Sequence, residues 1–287
     1  MLRAVLKEHE SSETSRPPAE RSSSRIWLSP SGAVALACWI YVIIRAVNVA
    51  IVHDESITYG ILRGDPTFVN QANNHWLNTA LMKLSRWAFG DSELALRLPN
   101  ILAFPIYAAS VMAILRIVRP AGRLVGVLIF FGNPFVLEFF GLARGYGLAM
   151  AACAAMVAGI TVGDLRLRPL WRLMFVSATA VVMFYGSFSA LNVALAGIGV
   201  QLVTMGVYRL YTLRISAWAA LIVCCAGAAA VPGLRHVLEM QQAGLLYVGG
   251  SRGLIPDTVG SLIWCSQGWG RKPSWLAAGE ALSLIHI

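Results

Sequence analysis

The chain has 287 residues, 57% of them hydrophobic and only 13% charged, with a mean hydropathy of +0.65 and a formal net charge of +9. That apolar content lies above the roughly 45–50% of an ordinary soluble domain and excludes one; the chain reads as an integral membrane protein. A basic excess of this kind could signal nucleic acid, but here it sits in short loops between apolar runs, as the positive-inside rule produces, so no nucleic-acid partner is expected.

In chain order, residues 1–28 mix Ser, Pro, Glu and Arg without apolar periodicity and without the short apolar core of a signal peptide. They read as a disordered cytoplasmic tail. A bilayer core is crossed by about 20 apolar residues in a helix. Windows near 32–52, 97–115, 124–140, 146–163, 173–188, 189–208 and 216–233 meet that length, and an eighth starts near 258. The expected fold class is therefore all-α, a polytopic transmembrane bundle over 29–281. Residues 282–287, Leu-Ser-Leu-Ile-His-Ile, look like the in-frame translation of a sequencing adapter, so the natural chain is expected to continue past about Ala281.

Basic residues set the orientation. The tail carries Arg16, Arg21 and Arg25, and alternate connections carry Arg116, Arg119 and Arg123, then Arg166, Arg168 and Arg172, then Arg209 and Arg214. That side is cytoplasmic by the positive-inside rule, and Trp27, Trp87 and Trp171 fall near the interfaces as an aromatic belt requires. The long loop 53–96 then faces outward.

That loop has structure of its own. A short helical piece over 55–62 ends at Gly64-Asp65-Pro66, which turns the chain. Residues 75–89 place Trp76, Leu77, Ala80, Leu81, Leu84, Trp87 and Ala88 on one helical face, with Asn78, Lys83 and Arg86 largely opposite. This amphipathic helix is expected to lie flat in the outer interface. Gly90 ends it, and Asp91 or Ser92 caps the helix that runs into the second span. A plain connecting loop is the alternative. In the third span, Pro134 of Asn133-Pro134 removes a backbone donor and is expected to kink the helix, with Glu138 and Arg144 bracketing its outer end. The glycines of 244–256 lack the strand-to-helix context of a phosphate cradle. Cys38, Cys153, Cys224 and Cys225 lie in apolar runs and Cys265 stands alone, a spacing that fits neither disulfides nor zinc.

The chemistry gathers at His53-Asp54-Glu55-Ser56, where two acids follow directly on the first span. Two solvated acids at a helix terminus is the structural alternative. Neighbouring helical residues point about 100° apart, so the two carboxylates cannot serve one reacting atom equally. Arg45, in the outer half of the first span with Asn48 nearby, implies a partner, a function or snorkelling to the headgroups.

The order HDES, then NNHWLNTALMKL, then FGDSELALRLPN, then NPFVLEFFGLARGYGLAM resembles the GT-C membrane glycosyltransferases over roughly residues 30–210. Within that superfamily it looks like the branch of dolichyl-phosphate-mannose protein mannosyltransferases and aminoarabinose transferases. The pattern of that branch is an outer Asp-Glu pair, a His-Pro-Pro or Lys-Pro-Pro opening an interfacial helix, a Ser-Glu…Arg-Leu-Pro segment, and later Asn-Pro-Phe and Ala-Arg-Gly-Tyr. The resemblance implies an inverting transfer of a sugar from a polyprenyl-phosphate donor to a lipid, glycan or protein acceptor at the outer face of the cell membrane. It implies Asp54 as the general base, with Glu55 supporting it or helping to hold a divalent metal. It also implies His75, Arg97, Arg144 and Tyr146 as substrate-binding residues, joined by Arg45 from its position alone. Here Trp76-Leu77 stands where the family has Pro-Pro. His53, His75 and His236 with Glu55 are the residues that could ligate a divalent metal, although no ligand spacing supports one. A polytopic transporter or flippase for lipid-linked glycans is the alternative function; its ionisable groups would be expected near the midplane on repeated halves.

Overall fold

In the computed structural model, the described residues are 30–65, 75–162, 169–208, 210 and 212–244. The tail, the eighth apolar window, residues 245–256 of the glycine-rich segment, Arg166, Arg168, Arg209 and the last six residues lie outside them. Every regular element among the described residues is helical: α1 (Pro30–Asn48), α2 (His53–Leu62), α3 (Trp76–Phe89), α4 (Glu93–Arg116), α5 (Pro120–Phe131), α6 (Pro134–Gly141), α7 (Tyr146–Thr161), α8 (Pro169–Gly186), a 3-10 turn (Phe188–Ala190), α9 (Leu191–Val207) and α10 (Leu213–Gln242). Five of these are long and apolar enough to cross a membrane, or six if α5 and α6 form one broken span. α7 is apolar but shorter, at 16 residues. The chain is thus that of a multi-pass membrane protein. It divides into two compact units, Met1–Gly233 and Leu234–Ile287.

The first unit is built around α4, which packs most extensively on α7 and also meets α1, α3 and α6. Its core is aromatic: Phe104, Tyr107, Phe131 and Phe140 are buried, with ring centroids 5.1 to 6.3 Å apart. α4 contains Pro99 and Pro105, and each deprives the carbonyl four residues earlier of its helical donor. In a membrane such a carbonyl must find another partner. Ser85 Oγ of α3 donates to the Ala95 carbonyl, and Trp39 Nε1 of α1 donates to the Ile101 carbonyl at 3.1 Å. At the break before Pro134, the Phe130 carbonyl in the last turn of α5 likewise accepts from a neighbour, Tyr107 Oη of α4, at 3.0 Å. Prolines that weaken a helix internally therefore become the points at which neighbours dock.

Asn133-Pro134 does more than kink a span. α5 stops at Phe131, Asn133 caps α6 by accepting from the Phe135 N–H at 3.0 Å, and the two helices meet at 47°. The first span ends at Asn48, short of the expected 52, and α2 starts at His53.

α3 starts at Trp76, one residue after the expected 75, ends on Gly90 at φ 84°, and is followed by Ser92, whose Oγ caps α4 by accepting from the Ala95 N–H at 3.2 Å. Its buried side carries the polar residues Asn78, Thr79 and Ser85 beside Met82, while Leu84, Trp87 (84% exposed) and Phe89 point away from the protein. This is the inverse of a soluble amphipathic helix, whose apolar stripe would face the core.

Candidate active site

Four connections bring the candidate residues to one end of the first unit. α2 starts with acids in its first turn, where the helix dipole favours negative charge. Glu55, its third residue, reaches back to accept from the Val52 N–H at 3.0 Å, one half of a capping box. The same carboxylate receives the Arg97 guanidinium in a two-point grip, Nε to Oε1 at 2.9 Å and Nη2 to Oε2 at 2.6 Å, and the Ala143 N–H also donates to Oε1. Arg97 spends its other donors on the carbonyls of Ala46, Val49 and Ala50, at the end of α1 and in the chain just after it. Both residues are sealed, Glu55 2% and Arg97 1% exposed.

This geometry corrects two expectations. Arg97 has given all five guanidinium N–H groups to protein partners and keeps none for a substrate. Glu55 has each oxygen accepting two hydrogen bonds, so it holds neither an acceptor nor a metal in this arrangement. In this arrangement both side chains bond only to the protein. They tie the end of α1, the start of α2 and the start of α4 to residues 142–145, the connection that carries Arg144.

From Ala143 the polar network continues inward. The Ala143 carbonyl accepts from Asn78 Nδ2 at 2.9 Å, and Asn78 Oδ1 accepts from Asn100 Nδ2 at 2.7 Å. Asn78, assigned above to the polar side of an amphipathic helix, is fully buried. Asn100 was not singled out from sequence, although an amide inside an apolar span was the available signal.

Asp54 sits one residue before Glu55 and is one-fifth exposed; its Oδ2 lies 2.6 Å from Arg144 Nη1. The Arg144 guanidinium also lies over the Tyr146 ring, 4.8 Å from its centroid, a cation–π contact. His75, the residue before α3, meets Tyr146 edge-on at 4.7 Å. Burial, and then the neighbouring Arg144 charge, lower the His75 ring to about 4, against the opposing hydrogen bond to the Gly186 carbonyl. The ring is therefore neutral at pH 7. Its Nε2 is buried and has no hydrogen-bond partner among the described residues. Gly145 is wedged here: a Cβ on it would lie 1.9 Å from the Gly186 carbonyl oxygen and 2.7 Å from the His75 Cβ. Only glycine permits that approach.

Asp54, His75, Arg144 and Tyr146 thus converge, with Glu55 and Arg97 beneath them. Arg45 belongs elsewhere. It bonds Glu138 of α6 through Nε at 2.6 Å, which answers the question of its partner. His236 lies in the second unit. A divalent metal does not fit these residues, because Glu55 is saturated and His75 stands beside a guanidinium that would repel a cation. Among the described residues no three His, Cys, Asp or Glu side chains gather to hold one. The arrangement can accept a proton at Asp54 and neutralise an anion at Arg144, with an aromatic ring and a neutral imidazole between α3 and α7. Comparison with protein-family models, with curated proteins and with solved structures finds no match to this chain.

Proposed function

We propose that this protein is a GT-C-type glycosyltransferase that moves a sugar from a polyprenyl-phosphate donor to a hydroxyl or amine acceptor at the outer face of the membrane. The observation that carries this reading is the pairing of Asp54 with Arg144 at 2.6 Å, a base and a phosphate-binding cation side by side at one end of apolar helices. In the reaction, the acceptor's proton passes to Asp54 while the acceptor atom bonds to the anomeric carbon from the face opposite the phosphate. The bond from that carbon to the phosphate oxygen breaks, its electron pair stays on the oxygen, and polyprenyl monophosphate leaves. Positive charge gathers on the sugar ring and negative charge on the phosphate, which the largely buried Arg144 stabilises. His75, neutral, offers a hydrogen-bond acceptor rather than a second cation.

Two further features support the reading. An open apolar groove of about 490 Å³ lies on the surface between α3 and α4, lined by Leu84, Ala88, Leu98, Pro99, Leu102 and Ile106, and it suits part of an isoprenoid chain. The outward apolar stripe of α3 suits a helix lying in the outer interface, with the amino terminus of the chain cytoplasmic and the site extracytoplasmic. A transporter would carry its ionisable groups on broken helices near the midplane. Radiolabelled sugar transfer from crude polyprenyl-phosphate donors, in membranes containing the chain, separates the two. Label moves to an acceptor if the reading holds; label that crosses the membrane still attached to its lipid contradicts it.

A further inference from the structure

Adjacent acids on α2 hold two arginines in different ways. Glu55 grips Arg97 at two points, and every donor of that guanidinium is used. Asp54 forms an ion pair with Arg144, whose Nη1 lies 2.6 Å from Oδ2. The remaining Arg144 donors have no protein partner among the described residues; its other close contact is the face of Tyr146, which constrains the plane of the guanidinium without a hydrogen bond. The backbone on which Arg144 stands is nonetheless fixed. The Ala143 N–H is bonded to Glu55, the Ala143 carbonyl to Asn78, and Gly145 is wedged against Gly186 and His75. A firmly anchored arm therefore carries a buried charge whose present counter-ion is the residue assigned as the base.

We infer that Arg144 is a shared counter-ion, held by Asp54 in the resting protein and drawn off by the donor's phosphate, so that Asp54 gains its proton-accepting role only once the donor is seated. The inference rests on the glycosyltransferase reading. A donor phosphodiester carries one negative charge, and the polyprenyl monophosphate that leaves carries about two. The pull on Arg144 thus grows as the bond from sugar to oxygen breaks, while the acceptor's proton arrives on the carboxylate that Arg144 has left. Binding is ordered, donor before acceptor, and a base neutralised by its own arginine does not activate water in an empty site.

The test measures the affinity of polyprenyl monophosphate for the chain in lipid nanodiscs, in a double-mutant cycle of Asp54→Asn and Arg144→Gln. Neutral polyprenol and inorganic phosphate serve as separate ligand arms. With exchange, Asp54→Asn tightens phosphate binding about three- to tenfold, because no ion pair has to open first. That gain is larger in the native background than in the Arg144→Gln background, and neutral polyprenol shows neither effect. Tightening with inorganic phosphate as well supports exchange driven by the phosphate alone, and tightening confined to the lipid form supports exchange driven by the seated donor. An equal or larger gain in the Arg144→Gln background means simple repulsion by Asp54; it overturns the exchange and leaves the glycosyltransferase reading standing. Failure of the native chain to bind polyprenyl monophosphate, or binding indifferent to Arg144→Gln, overturns both.

Discussion

Asp54 and Glu55 are neighbours of the same type, and their different settings follow from the helix that starts with them. About 100° of rotation separates their side chains. Glu55, at the third position, turns under the helix start into the grip of Arg97, while Asp54 stays one-fifth exposed beside Arg144. A buried pair stripped of one member leaves an uncompensated charge, so Glu55→Ala or Arg97→Ala should each cost about 3–5 kcal/mol. Thermal unfolding in detergent checks this, and an unfolding midpoint that does not move in either variant contradicts the clamp. His75 gives a pH signature. Its folded value of about 4 lies below the ordinary 6.5, so between those values the unfolded chain binds a proton that the folded chain refuses. Stability is therefore level above about pH 6.5 and falls as pH drops toward 4, by up to about 3 kcal/mol. Unfolding midpoints at pH 7.5 and 4.5 should show that loss in the native chain and a smaller one in His75→Gln; equal losses would mean that the acid sensitivity arises elsewhere.

At the scale of elements, what the sequence reveals depends on whether the determinant is local. The seven apolar windows each correspond to a helix or, for α5 and α6, a broken pair, and the end of α3 and the start of α4 follow from Gly90 and Ser92, since length and capping are properties of neighbouring residues. The direction in which α3 faces, the saturation of Arg97 and the burial of Asn78 were not legible, because each depends on atoms from distant segments. Family resemblance named Arg97 and Glu55 as site residues; the geometry shows them joining α1, α2, α4 and the connection at Ala143. The prolines of α4 belong to the same class. Pro99 lies inside a window read as one continuous span, and its use as a dock for Ser85 is a tertiary fact. Ser85→Ala should leave the Ala95 carbonyl buried without a donor and cost about 1–3 kcal/mol. Pro99→Ala restores a main-chain donor to that carbonyl, so the serine substitution should then be close to neutral. A thermal double-mutant cycle reads the coupling, and strictly additive effects refute the proline-docking argument.

At the scale of the whole molecule, topology and chemistry have to agree. Asp54, Arg144 and His75 share one end of the first unit, and the basic connection at Arg116, Arg119 and Arg123 joins α4 to α5 at the other end of α4. If the site faces outward, Ser56→Cys, which is exposed beside the acids, should react with a membrane-impermeant thiol reagent in intact cells, and Arg119→Cys only after lysis. The reverse labelling pattern would put the acids in the cytoplasm and exclude an outer-face donor. The most direct measurement is sugar transfer from a polyprenyl-phosphate donor by the native chain and by Asp54→Asn at matched amounts in the membrane. A general base contributes about 10²–10⁴ in rate, so transfer should fall by at least about a hundredfold while insertion and abundance are unchanged. Transfer at the native rate by Asp54→Asn would show that Asp54 is not the base and that the reaction, if present, is carried elsewhere.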